Sequence, residues 1–258
     1  MTEVTHRAAP LPRATGGVTV VARSLVFNVA FYAVTVLYLI GALPAVLLPR
    51  QAMLSVAKFW GRTNLWLLRV ICGVTVEWRG LDRIPDGPLI VASKHQSAWE
   101  TFALVVPFVD PTLIVKRELF WLPLFGWYMA KAAMIPVDRS GRAKALIALT
   151  RRASFELARG RQIIIFPEGT RRPVGAEPDY KPGVGRLYAA TGAACLPIAL
   201  NSGLVWPRRS FLRHPGVVRV EILDVIPPGL RGKQFLQRLE HDIETATARL
   251  VAEGVRAP

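Results

Sequence analysis

Cysteine is nearly missing from this chain: only Cys72 and Cys195 occur in 258 residues, both inside apolar runs. That excludes a disulfide framework and suits a reducing compartment. Histidine is also scarce, with four residues. There is no Cys-x-x-Cys, no His-Glu-x-x-His and no cluster of His with carboxylates, so no metal site is expected. Acidic residues are outnumbered, 18 against 33 Lys and Arg, for a formal charge of +15. Such a surplus points to an anionic partner: nucleic acid, anionic lipid headgroups, or an acidic carrier or substrate. The basic residues are not interleaved with aromatics in the way single-strand binders are, which argues against nucleic acid. No internal repeat is present. The length, at 52% hydrophobic residues, suffices for one large domain with an appended segment.

Charge is absent altogether from residue 24 to residue 49. That apolar run is long enough to cross a hydrocarbon core of about 30 Å. It exceeds the usual hydrophobic region of a signal peptide and lacks a small-x-small cleavage site. Gly41, Pro44 and Pro49 break it near its end. Arg7, Arg13 and Arg23 precede it, and Arg50, Lys58, Arg62 and Arg69 follow it. A single crossing cannot keep both basic flanks on the cytoplasmic side, whereas a hairpin or shallow insertion can, so monotopic insertion is expected over a full span. Residues 51–73 mix basic residues with Trp60, Trp66 and aliphatics, a pattern that fits an interfacial amphipathic helix or an ordinary core-facing one; its position favours the membrane. Three parts follow: a flexible tail at 1–17, a membrane-associated helical segment at 18–73 and a catalytic-type domain at 74–258.

From residue 74 onward, short β-like runs alternate with helical patterns. Strands are expected at 74–78, 89–92, 112–115, 133–137, 162–166, 196–200 and 217–222. Helices are expected at 99–106, 142–159, 187–191 and 232–253. The helix at 142–159 has an apolar stripe at Leu146, Leu149, Ala153 and Leu157, and Gly160 ends it. This alternation predicts an α/β fold, a largely parallel sheet flanked by helices.

Two turns in this pattern carry chemistry. In Ser93-Lys94-His95-Gln96-Ser97-Ala98-Trp99-Glu100 a histidine sits between a strand and a helix, five residues before a carboxylate. Helical residues five apart point about 140° away from each other, so His95 and Glu100 can meet only if His95 precedes the helix. Ser97 as N-cap would place it there. A neutral imidazole held by a carboxylate can take a proton from a hydroxyl. Equally, Ser97-x-x-Glu100 is a capping box, with Glu100 reaching back to the Ser97 N–H. Both readings stand. The second turn, Phe166-Pro167-Glu168-Gly169-Thr170-Arg171-Arg172, follows a buried strand at the edge where α/β sheets place ligands. Gly169 permits close backbone approach and Arg171 offers a fork suited to phosphate, while a plain Pro-Gly turn with solvated arginines would look the same.

In order along the chain, His95 to Glu100, Lys116-Arg117-Glu118-Leu119, Phe166 to Arg171 and Leu196-Pro197-Ile198-Ala199 resemble the four motifs of the glycerophospholipid acyltransferase family. The chain departs from the pattern at Glu100, where the family usually has Asp. The resemblance implies transfer of a fatty acyl group from acyl-CoA or acyl-carrier protein to the hydroxyl of a lysophospholipid, at an anionic membrane surface, with no metal and no cofactor beyond the acyl thioester. It further implies an inner-membrane location with the catalytic domain facing the cytoplasm. His95 would be the base and Glu100 its orienting partner. Lys116, Arg117 and Arg171 would hold the acceptor phosphate, Glu168 the glycerol, and the turn at Gly169 and Thr170 would line the acceptor site and offer backbone N–H to the oxyanion. Phe120, Trp121 and residues 126–129 are candidates to line an acyl tunnel. Lysophosphatidic acid is the leading acceptor, with another lysolipid such as lyso-ornithine lipid as the alternative. A non-catalytic basic membrane-binding protein is the reading from a different class.

Overall fold

The computed structural model describes residues 17–138 and 142–256, the side chains of 142–144 excepted. The tail expected at 1–17 therefore lies outside the described residues apart from Gly17.

The apolar run folds as α1 (Val18–Gly41). A 3-10 turn (Leu43–Val46) follows, and α2 (Arg50–Cys72) starts after Pro49. Proline has no N–H to lose at a helix start, so the breakers fall where they disturb nothing. The two helices pack as an antiparallel hairpin: the Cys72 thiol lies 3.8 Å from the Arg23 carbonyl, Trp60 Nε1 donates to Thr35 Oγ1 at 3.1 Å, and the Tyr38 and Phe59 rings sit 5.9 Å apart. At 24 residues α1 rises about 36 Å, enough to cross a bilayer. Only Ser24 and Phe27 of it are buried, and Val26, Val29, Leu37 and Ile40 are exposed.

Seven strands form one sheet in the order β1-β7-β6-β2-β5-β3-β4. They are β1 (Val74–Arg79), β2 (Leu89–Ser93), β3 (Pro111–Lys116), β4 (Ile135–Val137), β5 (Gln162–Ile165), β6 (Cys195–Leu200) and β7 (Gly216–Ile222). Every pairing is parallel except β6 with β7, so the expected strands and largely parallel sheet are present. Alternate residues divide the core. Leu89, Val91 and Ile164 face α1, α2 and α3 (Glu100–Ala103), packing on Phe27, Leu68 and Phe102. Ile90, Ala92, Ile163 and Ile165 face α5 (Arg142–Leu157), α6 (Pro182–Thr191) and α7 (Gly232–Arg256) through Ala153, Leu187 and Leu239.

Three expectations need correction. The helix expected at 99–106 is one turn, α3, because Pro107 disfavours helical geometry at Val106 and lacks an N–H. Its N-cap is Trp99, not Ser97; the Ser97 hydroxyl instead accepts from the Trp99 N–H at 3.2 Å. The helix expected at 187–191 begins earlier, with Pro182 in its first turn. A further helix, α4 (Phe125–Lys131), was not expected; it is too short to show periodicity.

Arg161 is the main polar tie of the core. Its buried guanidinium pairs with Glu156 and Asp110 and donates to the carbonyls of Pro111, Ala132 and Ala133. Asp110 also receives Arg50, fixing the start of α2 to the sheet. Further along α2, Gly61 permits a close approach to α3: a β-carbon there would lie 2.7 Å from the Phe102 carbonyl oxygen and 3.3 Å from Val106. Overpacking costs about 1–3 kcal/mol. Gly61→Val is therefore expected to lower the thermal unfolding midpoint of the whole chain; an unchanged midpoint would contradict this contact.

Candidate active site

Strands β2, β5 and β3 are parallel neighbours, so the segments leaving their C-terminal ends share one edge of the sheet. Adjacent strands are about 4.8 Å apart, which puts the β2 exit about 10 Å from the β3 exit. His95 follows β2, Glu168 to Arg171 follow β5, and Lys116 ends β3. The fold thus brings the sequence motifs to one edge.

His95 precedes α3, and Glu100 is its first residue. The Nδ1 of His95 lies 3.4 Å from Glu100 Oε2. The same carboxylate accepts from the Gln96 N–H at 3.1 Å, from the Ser97 N–H at 3.0 Å to Oε2, and from the Ser202 hydroxyl. The capping contact and the histidine contact coexist at Oε2, which takes the Ser97 N–H while the buried His95 Nδ1 stands 3.4 Å away, beyond a hydrogen bond. Glu100 is fully buried, and three donors, the N–H groups of Gln96 and Ser97 and the Ser202 hydroxyl, replace its lost water. The His95 ring stacks on Phe166, with centroids 3.9 Å apart and planes at 16°. It is 9% exposed, so one edge of the imidazole remains reachable.

The turn after β5 is bonded directly to this loop. Gly169, at φ 64, closes it through its N–H to the Phe166 carbonyl at 2.9 Å, a left-handed conformation that suits glycine. The Arg172 N–H donates to the His95 carbonyl at 2.8 Å. Lys94 is buried beside His95, and its ammonium bridges Glu168 at 2.9 Å and Glu244 of α7 at 2.7 Å. Glu244 also receives the Tyr180 hydroxyl. Burial pushes the Glu168 carboxyl above its ordinary range, against the pull of Lys94. Glu168 Oε2 is buried without a partner. Gln96 is tied to the exit of β6, its side-chain oxygen accepting from the Gly203 N–H at 3.0 Å.

Among the described residues, Lys116 and Arg171 make no ion pair or hydrogen bond through their side chains, while Arg117 pairs with Asp138 at 3.0 Å and lies over Trp121. Thr170 is half-buried in the turn. The backbone N–H groups of Thr170 and Arg171 also carry no hydrogen bond among the described residues. Both thiols are buried, and burial raises Cys72 to about 11 and Cys195 further, so neither is an activated nucleophile. Beside α3 a cavity of about 250 Å³ is lined by residues such as Trp60, Phe102, Val115, Leu119, Tyr128 and Met129, with no charged side chain among its lining. Of the residues expected there, Tyr128 and Met129 take part. Phe120 and Gly126 do not; Trp121, at the end of the 3-10 turn Arg117–Trp121, and Trp127, on α4, are exposed.

Residues 75–201 match the acyltransferase family model, a stretch that contains every residue described at this edge except Ser202, Gly203 and Glu244. A 1-acyl-sn-glycerol-3-phosphate acyltransferase from Pseudomonas aeruginosa is 37% identical over 198 residues, covering 77% of this chain and 77% of that protein. The chain belongs to the acyltransferase family. Its activity class is accordingly O-acyl transfer, which removes the non-catalytic reading. A chloroplastic 1-acyl-sn-glycerol-3-phosphate acyltransferase from Arabidopsis thaliana is 30% identical over 172 residues, 65% of this acyltransferase and 46% of that protein. The crystal structure of a 1-acyl-sn-glycerophosphate acyltransferase from Thermotoga maritima shares the fold, with a TM-score of 0.73 at 23% identity, over 89% of this chain and 97% of that one.

Sequence reasoning missed Lys94, Gln96, Ser202 and Glu244. Lys94 was visible as a cation beside the histidine, but its partners lie 74 and 150 residues away. Removing one member of a buried ionic network costs about 3–5 kcal/mol. Lys94→Met, which leaves Glu168 and Glu244 without their shared cation, is therefore expected to lower the denaturant midpoint of unfolding strongly; a shift within error would contradict the network.

Proposed function

We propose that this acyltransferase moves a fatty acyl group from a thioester donor, acyl-CoA or acyl-carrier protein, to the sn-2 hydroxyl of lysophosphatidic acid, giving phosphatidic acid. The observation that carries this reading is His95 held 3.4 Å from Glu100 at the same sheet edge as the unpaired Lys116 and Arg171. The names of the curated relatives support the acceptor.

With Nδ1 facing Glu100, Nε2 of His95 is the atom left for substrate. It takes the proton of the acceptor hydroxyl while that oxygen attacks the thioester carbonyl. The tetrahedral intermediate collapses, the C–S bond breaks, and the imidazolium returns the proton to the leaving thiolate, so ester and free thiol leave together. Glu100 stabilises the imidazolium formed in between. Direct attack fits the absence of an activated cysteine among the described residues. Lys116 and Arg171 supply charge to the acceptor phosphate. Arg117, already paired with Asp138, contributes less than its place in the motif suggested. The Gly169 N–H is engaged with Phe166, so the free N–H groups of Thr170 and Arg171 are the ones left to meet an oxyanion or phosphate. Glu168, buried and held by Lys94, serves the glycerol side of the site by fixing the turn that carries Thr170 and Arg171. The uncharged cavity between α2, α3 and α4 takes the acyl chain. The enzyme works as a monotopic hairpin on the cytoplasmic face of the inner membrane, a reading supported by the exposed apolar face of α1 and the basic surplus.

The test is a donor-by-acceptor activity matrix on purified wild type and two variants. Lysophosphatidic acid is expected to be the preferred acceptor, and a much faster rate with lyso-ornithine lipid or another lysolipid would overturn that assignment. His95→Ala is expected to lower kcat by about 10²–10⁴-fold, the range for a positioned base, with circular dichroism unchanged. Arg171→Ala is expected to raise KM for the phosphate-bearing acceptor by about tenfold, as loss of a charged hydrogen bond implies, with little change for the thioester. Activity retained in His95→Ala would refute the role of the imidazole.

A further inference from the structure

The connection from β6 to β7, residues 206–214, reads Trp-Pro-Arg-Arg-Ser-Phe-Leu-Arg-His, and no motif or catalytic contact accounts for its composition. It leaves β6 on the catalytic edge, a few residues beyond Ser202 and Gly203, which touch Glu100 and Gln96. It is fastened to α1. The Arg213 N–H donates to Ser24 Oγ at 2.8 Å, Asn28 Nδ2 donates to the Phe211 carbonyl at 3.3 Å, and the Arg213 guanidinium donates to Asn28 Oδ1 at 3.1 Å. That guanidinium lies 3.7 Å over the Trp206 ring and 5.6 Å over Phe27, buried without a carboxylate. Arg213 therefore acts as a staple, and desolvation lowers it to about 10.

What the staple presents is unusual for a loop facing water. Phe211 is 48% exposed, its carbonyl is tied to α1 at Asn28, and Val21, Leu25 and Val29 of that helix are exposed too. Arg208 and Arg209 have no carboxylate partner among the described residues, and Arg209 is held at φ 58, outside the usual range for a side-chain-bearing residue. At the same end of the hairpin, Arg23 and Arg69 are exposed and also free of carboxylates among the described residues, and Trp66 is 59% exposed. An exposed aromatic between unpaired arginines, continuous with an apolar helix face, is the composition of a bilayer interface. A soluble acidic partner would explain the arginines but not their continuity with α1.

We propose that the 206–214 loop is a membrane-surface anchor, laying Phe211 among the headgroups of an anionic leaflet with Arg208 and Arg209 against lipid phosphates. It thereby holds the His95 edge of the sheet at headgroup level, where a lysolipid acceptor presents its hydroxyl. This rests on the reading of α1 and α2 as the membrane-facing layer.

The test uses the full chain in vesicles of phosphatidylcholine with phosphatidylglycerol, one fraction of the lipid carrying a shallow nitroxide. Because Cys72 and Cys195 are buried, a single fluorophore can be placed by Phe211→Cys, Leu37→Cys on α1, or Ala190→Cys on α6 across the sheet. Lipid quenching at 211 is expected to match that at 37 and to exceed that at 190 several-fold. With Arg208→Glu and Arg209→Glu added, quenching at 211 is expected to fall several-fold. Quenching at 37 but not at 211 would overturn the anchor, leaving the loop to solvent or a soluble acidic protein, while the membrane reading stands. Quenching at neither position would overturn the membrane reading together with the anchor. Quenching at 211 that survives the two charge reversals would overturn the part given to the arginines.

Discussion

The candidate active site depends on one folded-back carboxylate. Glu100 is fully buried, and a buried charge without partners would cost several kcal/mol. It is tolerated because the chain supplies donors from two directions: the N–H groups of Gln96 and Ser97 from its own loop, and the Ser202 hydroxyl from the exit of the neighbouring strand. These leave Oε2 beside His95 Nδ1. The methylene that Glu has beyond Asp is taken up by the reach back to the loop, so the departure from the family pattern keeps the carboxylate near the imidazole. Phe166 then fixes the ring plane by stacking.

The parallel sheet does the assembly. Because β6, β2, β5 and β3 all run the same way, their exits meet without any long connection, and residues as distant in the chain as His95, Arg171 and Ser202 become neighbours of one edge. The two faces of the sheet differ in kind. One carries the apolar hairpin and the uncharged cavity; the other carries α5, α6 and α7, with α7 sending Glu244 back to Lys94. The proposed reaction uses this asymmetry: an acyl chain lies on the side of the apolar helices, and polar chemistry occurs at the edge between the faces.

Much of this was legible in the sequence, for identifiable reasons. Strand β2 and strand β5 are runs of aliphatics buried on both faces, and such runs stand out against polar turns. His95 and the turn at Gly169 were legible because they sit at strand exits. The partners of Lys94 and Glu100 were not, since Glu244 and Ser202 are set by how α7 and β6 pack, which no local pattern reports. The outward direction of Trp127 was not legible because aromaticity says nothing of direction in a short helix preceded by a residue at φ 61, Leu124, and that of Trp121 because it ends a 3-10 turn too short to show periodicity. Helix α3 is short for a local reason, Pro107, that was present in the sequence but outweighed by the apolar run before it.

The measurement closest to the central claim is the tautomer of the neutral His95 ring, read from ¹⁵N chemical shifts and long-range ring couplings in the free enzyme. The proposed mechanism requires the proton on Nδ1, the nitrogen 3.4 Å from Glu100, and a bare Nε2 for the acceptor; that pattern, lost on substitution of Glu100 by Gln, is the expected result. A neutral ring protonated on Nε2 would contradict the account, because the atom meant to accept the proton of the hydroxyl would already hold one.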